Sequence, residues 1–263
     1  MSNPNLPAEL LDHIIDYLHD TEDALMNCCL VSKSWIPRTR KHLFADVWFF
    51  AEEFLELWKE TFPDPSTSPA RYAKTLTINC PHAVMAADAE VGGWIRGFSH
   101  IVSLEVGGQG MQDNNSDVFL IPLQGLSRVV KSLNIDHIPI RSSRILDFIL
   151  SFPLLEDLAV TNCNDAAING DDGSNGPPTI IQPSNPPTFT GSLTLMRIEL
   201  APIARRLLSL QGGIHFRKFT LKWDHGEDNS LITALVEGCS HTLESIDIGC
   251  NPLGAPPRHL RLY

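Results

Sequence analysis

One short apolar pattern recurs along most of the chain, and it limits the folds that the sequence can adopt. From residue 73 onward, an apolar residue is followed by two variable residues, a second apolar residue, one variable residue and a third apolar residue. The central apolar positions are 76, 104, 133, 158, 193, 219 and 246, so successive copies are 28, 29, 25, 35, 26 and 27 residues apart. A nearly constant period predicts stacked units that each contribute one strand. The clear copies are Ala73/Leu76/Ile78, Ile101/Leu104/Val106, Val130/Leu133/Ile135, Leu155/Leu158/Val160 and Leu243/Ile246/Ile248, and the weaker ones are Thr190/Leu193/Leu195 and Phe216/Phe219/Leu221.

The longest interval between copies contains a polar segment rich in proline and glycine, near residues 165–190. It includes Asn169-Gly170-Asp171-Asp172-Gly173 and two proline pairs. This composition is typical of loops, so we predict a surface insertion rather than a domain boundary. Other intervals, such as 143–152 and 230–238, are expected to form helical or irregular connections between parallel strands. A different α/β domain with simple strand–helix alternation stays an alternative.

The first 45 or so residues predict three short helices. Apolar residues at positions 10, 11, 14, 15 and 18 follow helical spacing, and a second apolar segment runs to Val31. Pro37 can open a third helix that ends near Leu43 and Phe44. Three helices of this length bury too little apolar surface to be comfortably stable alone, so the module needs a partner.

The motifs in this module resemble the F-box. They are L-P-x-E-L-L-x-x-I-x-x-Y-L from Leu6, L-x-x-C-x-L-V-S-K-x-W from Leu25, and a short basic helix that ends in Leu43-Phe44. The resemblance implies docking on the small Skp-type adaptor and, through it, on the cullin of an SCF-type cullin–RING ubiquitin ligase. Transferred position by position, the docking residues are Leu6, Pro7, Leu10, Ile14, Leu18, Leu25, Cys29, Leu30, Val31 and Trp35.

The strand pattern in turn resembles the divergent leucine-rich repeats that follow many F-boxes, including those of short fungal F-box proteins. The asparagine or cysteine usual after the strand occurs only at Cys163 and Asn251. The expected fold is therefore α/β: an F-box helical module (1–47), a connector with a helix at 49–58 and a proline-rich loop (48–70), and a leucine-rich-repeat-like solenoid with a parallel sheet (71–263). Terminal repeats need a cap, and none is evident after residue 250, so we expect either a longer natural chain or irregular last turns.

The predicted solenoid would bind a target protein on the strand face opposite the apolar positions, because successive strand side chains alternate between faces. Large aromatic side chains dominate interface energetics, which favours the tryptophans as anchors. The sequence does not encode the target's identity. The candidate target-binding residues are Trp94, Glu105, Asn134, Asp136, Lys222 and Trp223.

Charge and apolar content exclude other classes of protein. Acidic residues outnumber basic ones by 31 to 20, so the net charge is −11 and phosphate is repelled. Lys33, Arg38, Arg40 and Lys41 leave a three-helix DNA-binding module as a minor alternative. No apolar run approaches the length of a membrane span. Six cysteines without a C-x-x-C pair indicate reduced thiols, which favours the cytoplasm or the nucleus.

No catalytic signature is present. The sequence lacks G-x-S-x-G, a Walker A motif, H-E-x-x-H, a zinc-binding quartet of Cys and His, and a HECT or RING signature. We therefore expect no cofactor, no metal and no intrinsic enzymatic activity, and we assign the role of a substrate-recruiting ligase subunit. Two alternatives remain: a non-ligase scaffold that uses the F-box to bind the adaptor, and an α/β enzyme with dispersed site residues.

Overall fold

The computed structural model describes residues 7–79, 94–108, 120, 122–126, 128–138, 142–163, 187, 189–210, 212–223 and 229–250. Three short helices come first, and strands alternating with helices or irregular segments follow. The helices are α1 (Ala8–Tyr17), α2 (Glu22–Val31), α3 (Ile36–Leu43), α4 (Glu52–Thr61), α5 (Ser142–Leu150), α6 (Leu200–Leu208) and α7 (Asn229–Gly238). The strands are β1 (Asp46–Phe49), β2 (Thr75–Ile78), β3 (Ser103–Gly107), β4 (Ser132–Asp136), β5 (Asp157–Thr161), β6 (Ser192–Met196), β7 (Lys218–Trp223) and β8 (Ser245–Cys250).

The eight strands form one sheet in sequence order, and every neighbouring pair is parallel. All seven predicted strands are present. Their register also follows the sequence pattern, because Leu76 pairs with Leu104, Leu104 with Leu133, and the later central positions continue this row to Ile246. The α/β class and the parallel sheet are thus confirmed. The identity of the copies as leucine-rich repeats, and their arrangement as a solenoid, stay predictions.

Backbone hydrogen bonds extend the repeat beyond the strands. Before β2, the carbonyl of Ala45 accepts from the N–H groups of both Lys74 and Thr75, and the same two-donor arrangement recurs before β3, β4, β5, β7 and β8. After β4, β5 and β6, the chain turns through a residue with positive φ, at His137, Asn162 and Arg197. Each of these three donates its N–H to a carbonyl on the next strand. Equivalent entry and exit geometry shows that the copies repeat in structure as well as in sequence.

The first strand was not predicted. The helix expected over 49–58 begins only at Glu52, because Val47 and Phe49 are buried and alternate with exposed Asp46 and Trp48. This period of two matches a strand that pairs with β2. Phe44, Val47 and Phe49 repeat the apolar spacing of the later copies, and position 47 precedes position 76 by 29 residues. The repeat pattern therefore has an eighth copy, which begins inside the helical module.

In the weak sixth copy, which contains β6, the first apolar position lies one residue earlier than predicted. Thr190 was expected as its first apolar position, yet Thr190 is exposed and Phe189 is fully buried. Phe189 has a positive φ of 43°, and its ring centroid lies 5.1 Å from that of Phe216. Gly191 follows, where a Cβ atom would lie 3.0 Å from the carbonyl oxygen of Glu156. A local turn before β6 thus accommodates the one-residue offset between Phe189 and the predicted position 190.

The inner face of the sheet carries the core. Apolar strand positions from Val47 to Leu221 are almost completely buried, while Ile246 and Ile248 at the β8 edge are half exposed. α5 contacts α6, α6 contacts α7, and the apolar side of each helix joins this core. None of the helices in the described ranges is both long and apolar enough to cross a membrane.

An aromatic cluster joins the helical module to the sheet. Phe44, just after α3, lies edge-on to Trp58 and Phe62, with ring centroids 6.0 and 6.3 Å away. Trp58 stacks on Phe98 at 5.7 Å, and Phe49 of β1 packs against both of these rings. α3 also contacts the 3-10 turn Pro69–Tyr72. The predicted domain boundary at 47/48 lies within β1, so the module runs into the sheet without a linker.

Candidate functional site

The three N-terminal helices are held together by a small core and one charged cluster. Ile15, Leu25 and Cys28 are buried between the helices, together with Thr39, whose hydroxyl donates to the carbonyl of Trp35. These few side chains are a small core even for a short module. A polar cluster between α1 and α3 supplements them.

That cluster centres on Asp16 of α1. The Arg38 guanidinium donates to both carboxylate oxygens of Asp16, with Nε 2.6 Å from Oδ1, and His42 Nε2 lies 2.7 Å from Oδ1. The hydrogen bonds from Arg38, and secondly from His42, hold the pKa of Asp16 well below its ordinary value. Arg38 is thereby engaged within the module, which removes one of the four basic residues of the DNA-binding alternative.

The outer side of α1 and α2 exposes an unusual number of apolar side chains. Leu30 is 85% exposed and Val31 is 65% exposed. Both lie at the end of α2, directly before the Ser32–Lys33 turn. Exposed apolar side chains concentrated in one small module indicate an interaction site. We call this set the docking surface, and it consists of Pro7, Leu10, Ile14, Tyr17, Met26, Leu30 and Val31.

The docking surface contains five of the ten residues predicted to bind the adaptor: Pro7, Leu10, Ile14, Leu30 and Val31. Leu18, Cys29 and Trp35 are half-buried, and Leu6 lies outside the described residues. Leu25 is 1% exposed and belongs to the core between the helices, which favours a packing role over contact with the adaptor. Tyr17 and Met26 were missed. Both lie on the exposed side of their helices, but the sequence motif does not single them out.

Residues 4–36 match the F-box-like family. This segment ends at the start of α3 and contains the whole docking surface, so the motif-based prediction is confirmed for this part of the chain. No curated protein and no solved structure matches the chain. An F-box-like domain indicates binding to the Skp-type adaptor of an SCF-type ubiquitin ligase, and F-box adaptor proteins are typically non-catalytic.

The outer face of the sheet carries four of the candidate target-binding residues. Glu105 and Asn134 are direct register partners on β3 and β4, and Asp136 follows Asn134 on the same face. Lys222 lies three strands beyond β4, on β7, where its Nζ is 3.4 Å from a carboxylate oxygen of Asp247. All four side chains are partly exposed, but they occupy two separate parts of the face.

Trp94 does not lie on this face. It is 8% exposed and packs edge-on against Phe49 and Phe98, with both centroid distances 5.8 Å. Its ring is part of the aromatic cluster, which favours the core role that was the alternative for Trp94. Trp223 pairs with Cys250 through its backbone, and its side chain lies outside what the structure describes.

The carboxyl ends of β4 and β5 are where an enzyme of the α/β class would place its site. Asp136 there accepts from Thr161 Oγ1, from Asn162 Nδ2 at 2.8 Å, and contacts His137 Nδ1 at 2.8 Å. Partial burial opposes ionisation, yet these donors lower the pKa of Asp136. The nearby Cys163 is buried, and burial raises its thiol pKa to about 11, so it is a poor nucleophile.

These contacts tie the end of β4 to the turn after β5, which gives the cluster a structural role. Within the described residues, no group of three or more His, Cys, Asp or Glu side chains could hold a metal ion.

Proposed function

We propose that this protein is a substrate-recruiting subunit of an SCF-type cullin–RING ubiquitin ligase. In this proposal the docking surface binds the Skp-type adaptor, and the outer face of the sheet binds a target protein. Cullin association follows through the adaptor. The target would be presented to a ubiquitin-conjugating enzyme held elsewhere in the complex.

The observation that carries the proposal is the position of the exposed apolar side chains. Six of the large apolar residues exposed in the described ranges fall within α1 and α2, inside the segment that matches the F-box-like family: Leu10, Ile14, Tyr17, Met26, Leu30 and Val31. Exposing them to water costs free energy that a helical partner with an apolar groove would recover.

The target-binding part of the proposal has weaker but independent support. The outer face of the sheet is lined by polar side chains, and its strands lie side by side over eight copies. Extended faces of this type bind protein partners across several repeats. Any acceleration of ubiquitin transfer would come from raised effective concentration and orientation, rather than from side chains of this chain.

Co-purification with a Skp-type adaptor tests the adaptor-binding half. We expect the double substitution Leu30→Ala and Val31→Ala to weaken adaptor affinity by about tenfold or more, because each buried CH₂ group that is removed contributes about 0.8 kcal/mol. The control is Val102→Ala with Leu154→Ala, which removes the same apolar groups from residues outside the helical module that are 40% and 50% exposed. The proposal fails if wild-type protein does not bind the adaptor, or if the two double variants bind it equally well.

A further inference from the structure

Two aromatic side chains stand exposed at one end of the outer sheet face. Trp48 of β1 is 58% exposed and Phe50, directly after β1, is 56% exposed. Their ring centroids are 5.8 Å apart with an interplanar angle of 61°. Large aromatic rings are the most frequent energetic anchors of protein interfaces. Exposure of a packed aromatic pair on a sheet face therefore indicates a partner that covers it.

The pair belongs to the sheet, whereas the docking surface belongs to α1 and α2. Trp48 shares its face with the rest of the sheet, since it is the register partner of Thr77, which in turn pairs with Glu105. Two strand spacings place Glu105 about 10 Å from Trp48 along the hydrogen-bonding direction. Asp46 precedes Trp48 by two residues on the same strand and points to the same face. One carboxylate thus lies two residues before Trp48 on its own strand, and the other lies two strands away across the sheet.

The hydrogen bonds of the described residues distinguish these two carboxylates from the others on the outer face. Asp157 accepts from both the backbone N–H and the hydroxyl of Ser192 at 2.6 Å. Asp136 is engaged by its three neighbours and Asp247 by Lys222. Glu105 has a single long contact, 3.5 Å from the Thr77 hydroxyl, and Asp46 has no hydrogen bond or ion pair within the described ranges. Both carboxylates keep acceptor capacity for a ligand.

From this arrangement we infer that the β1–β3 end of the sheet binds an extended target segment through an arginine or lysine side chain. The cation lies against the Trp48–Phe50 pair, and the carboxylates of Asp46 and Glu105 accept its hydrogen bonds. Aromatic faces and free carboxylates both attract cations, so the two features favour the same occupant. This inference rests on the proposed target-binding role of the sheet and specifies the chemistry of the target.

Peptide binding to the full-length protein tests the inference. The probes are fluorescein-labelled Ser/Gly peptides of equal length that carry two arginines, two glutamates or no charge, and the readout is fluorescence anisotropy. We expect the arginine peptide to bind most tightly. The double variant Asp46→Asn with Glu105→Gln should weaken that binding by about tenfold, because it removes both acceptors of charge-assisted hydrogen bonds.

A matched control is needed because an acidic protein attracts any cationic peptide weakly. Glu244→Gln with Asp247→Asn removes the same charge at the other end of the sheet, where both residues are exposed. Trp48→Leu keeps apolar surface but loses the aromatic face, and Phe54→Leu is its control on α4, with Phe54 56% exposed. The inference requires a larger loss of arginine-peptide affinity in the first variant of each pair than in its control.

Three results would overturn the inference: no preference of wild-type protein for the arginine peptide, equal losses in the test and control variants, or adaptor binding that depends on Trp48 while peptide binding does not. The last result would place the aromatic pair in the adaptor interface. Adaptor co-purification is measured on the same preparations, so failure of the proposed ligase role is recognised separately. A protein that binds the arginine peptide as expected but no adaptor would retain the cation site and lose the ligase assignment.

Discussion

At the scale of single residues, Asp16 joins α1, which carries part of the docking surface, to α3. Its partners Arg38 and His42 are 22 and 26 residues away in sequence, so one carboxylate fixes α1 against α3. α1 carries Leu10, Ile14 and Tyr17 of the docking surface. Their position relative to α2 therefore depends on a contact that the adaptor itself does not make.

We predict that Asp16→Asn loosens α1 and weakens adaptor binding without changing the sheet. The pKa of Asp16 is lower in the folded protein than in the unfolded chain, so its stabilising effect is present above about pH 4 and is lost as the pH falls below that value. Hydrogen exchange of α1 and α3, corrected for the intrinsic pH dependence, measures the effect. The difference between variant and wild type should be clear at neutral pH and should shrink under acid conditions.

Asp20→Asn is the control for this prediction, because it removes the same charge from an exposed side chain that contacts only the exposed His19. It should leave exchange in α1 and α3 close to that of the wild type. Equal protection in the Asp16 and Asp20 variants at neutral pH would show that the Arg38–Asp16 contact does not hold the helices.

At the scale of elements, the repeating strands β2 to β8 were predictable, whereas β1 and the start of α4 were not. Leu76, Leu104 and Leu133 recur at a nearly constant interval, and parallel neighbours place equivalent residues in register, so spacing alone gave both the strands and their pairing. β1 was not predicted because Phe54, Leu55 and Trp58 continue an apolar series that begins at Phe49. A helix and a strand are hard to separate in short apolar runs.

The candidate sites were less predictable than the strands, because side-chain exposure depends on contacts between distant segments. Leu25 and Leu30 belong to the same F-box-like motif, yet Leu25 faces the other helices and Leu30 faces water. Trp94 was proposed as a surface anchor, with a core position as the alternative, and its ring packs against Phe98 and against Phe49 of the distant β1. The hydrogen bonds that the carboxylates of Asp136 and Asp157 accept likewise depend on residues of the neighbouring strand.

The sixth copy offers a test of the element-level assignment. We predict that Phe189→Ala lowers the free energy of unfolding by about 3–5 kcal/mol, as expected for removal of a fully buried ring that packs on Phe216. Thr190→Ala should change it by less than about 0.5 kcal/mol, because Thr190 is exposed. Urea denaturation followed by circular dichroism compares the two. A larger effect at Thr190 would restore the spacing inferred from sequence.

At the scale of the whole molecule, the helical module and the sheet share residues. Only Phe44 and Ala45 separate α3 from β1. Phe44 is part of the aromatic cluster, and the carbonyl of Ala45 accepts two hydrogen bonds from the start of β2. A recruiting subunit gains from such a junction, since a fixed angle between adaptor and target limits the positions that the target can occupy.

We therefore predict one narrow distance distribution between the module and the sheet. Dyes on unnatural side chains at Asp12 and Lys218, both exposed, allow the distance to be measured by single-molecule energy transfer in the adaptor-bound protein. An insertion of about ten Gly/Ser residues between Phe44 and Ala45 should broaden the distribution, because a flexible linker of that length spans roughly 16–19 Å. Adaptor affinity should stay unchanged, since the docking surface lies before the insertion.

The same insertion between the exposed His241 and the half-buried Thr242, in the turn after α7 and beyond both dyes, controls for a general loss of stability and should leave the distribution narrow. A broad distribution in the wild-type protein would contradict a rigid junction. A narrow distribution in the Phe44–Ala45 variant would show that the contacts of Phe44, Trp58 and Phe62 orient the module without help from the short connection. Adding Trp58→Ala to that variant should then broaden it, because Trp58 contacts both Phe44 and Phe98.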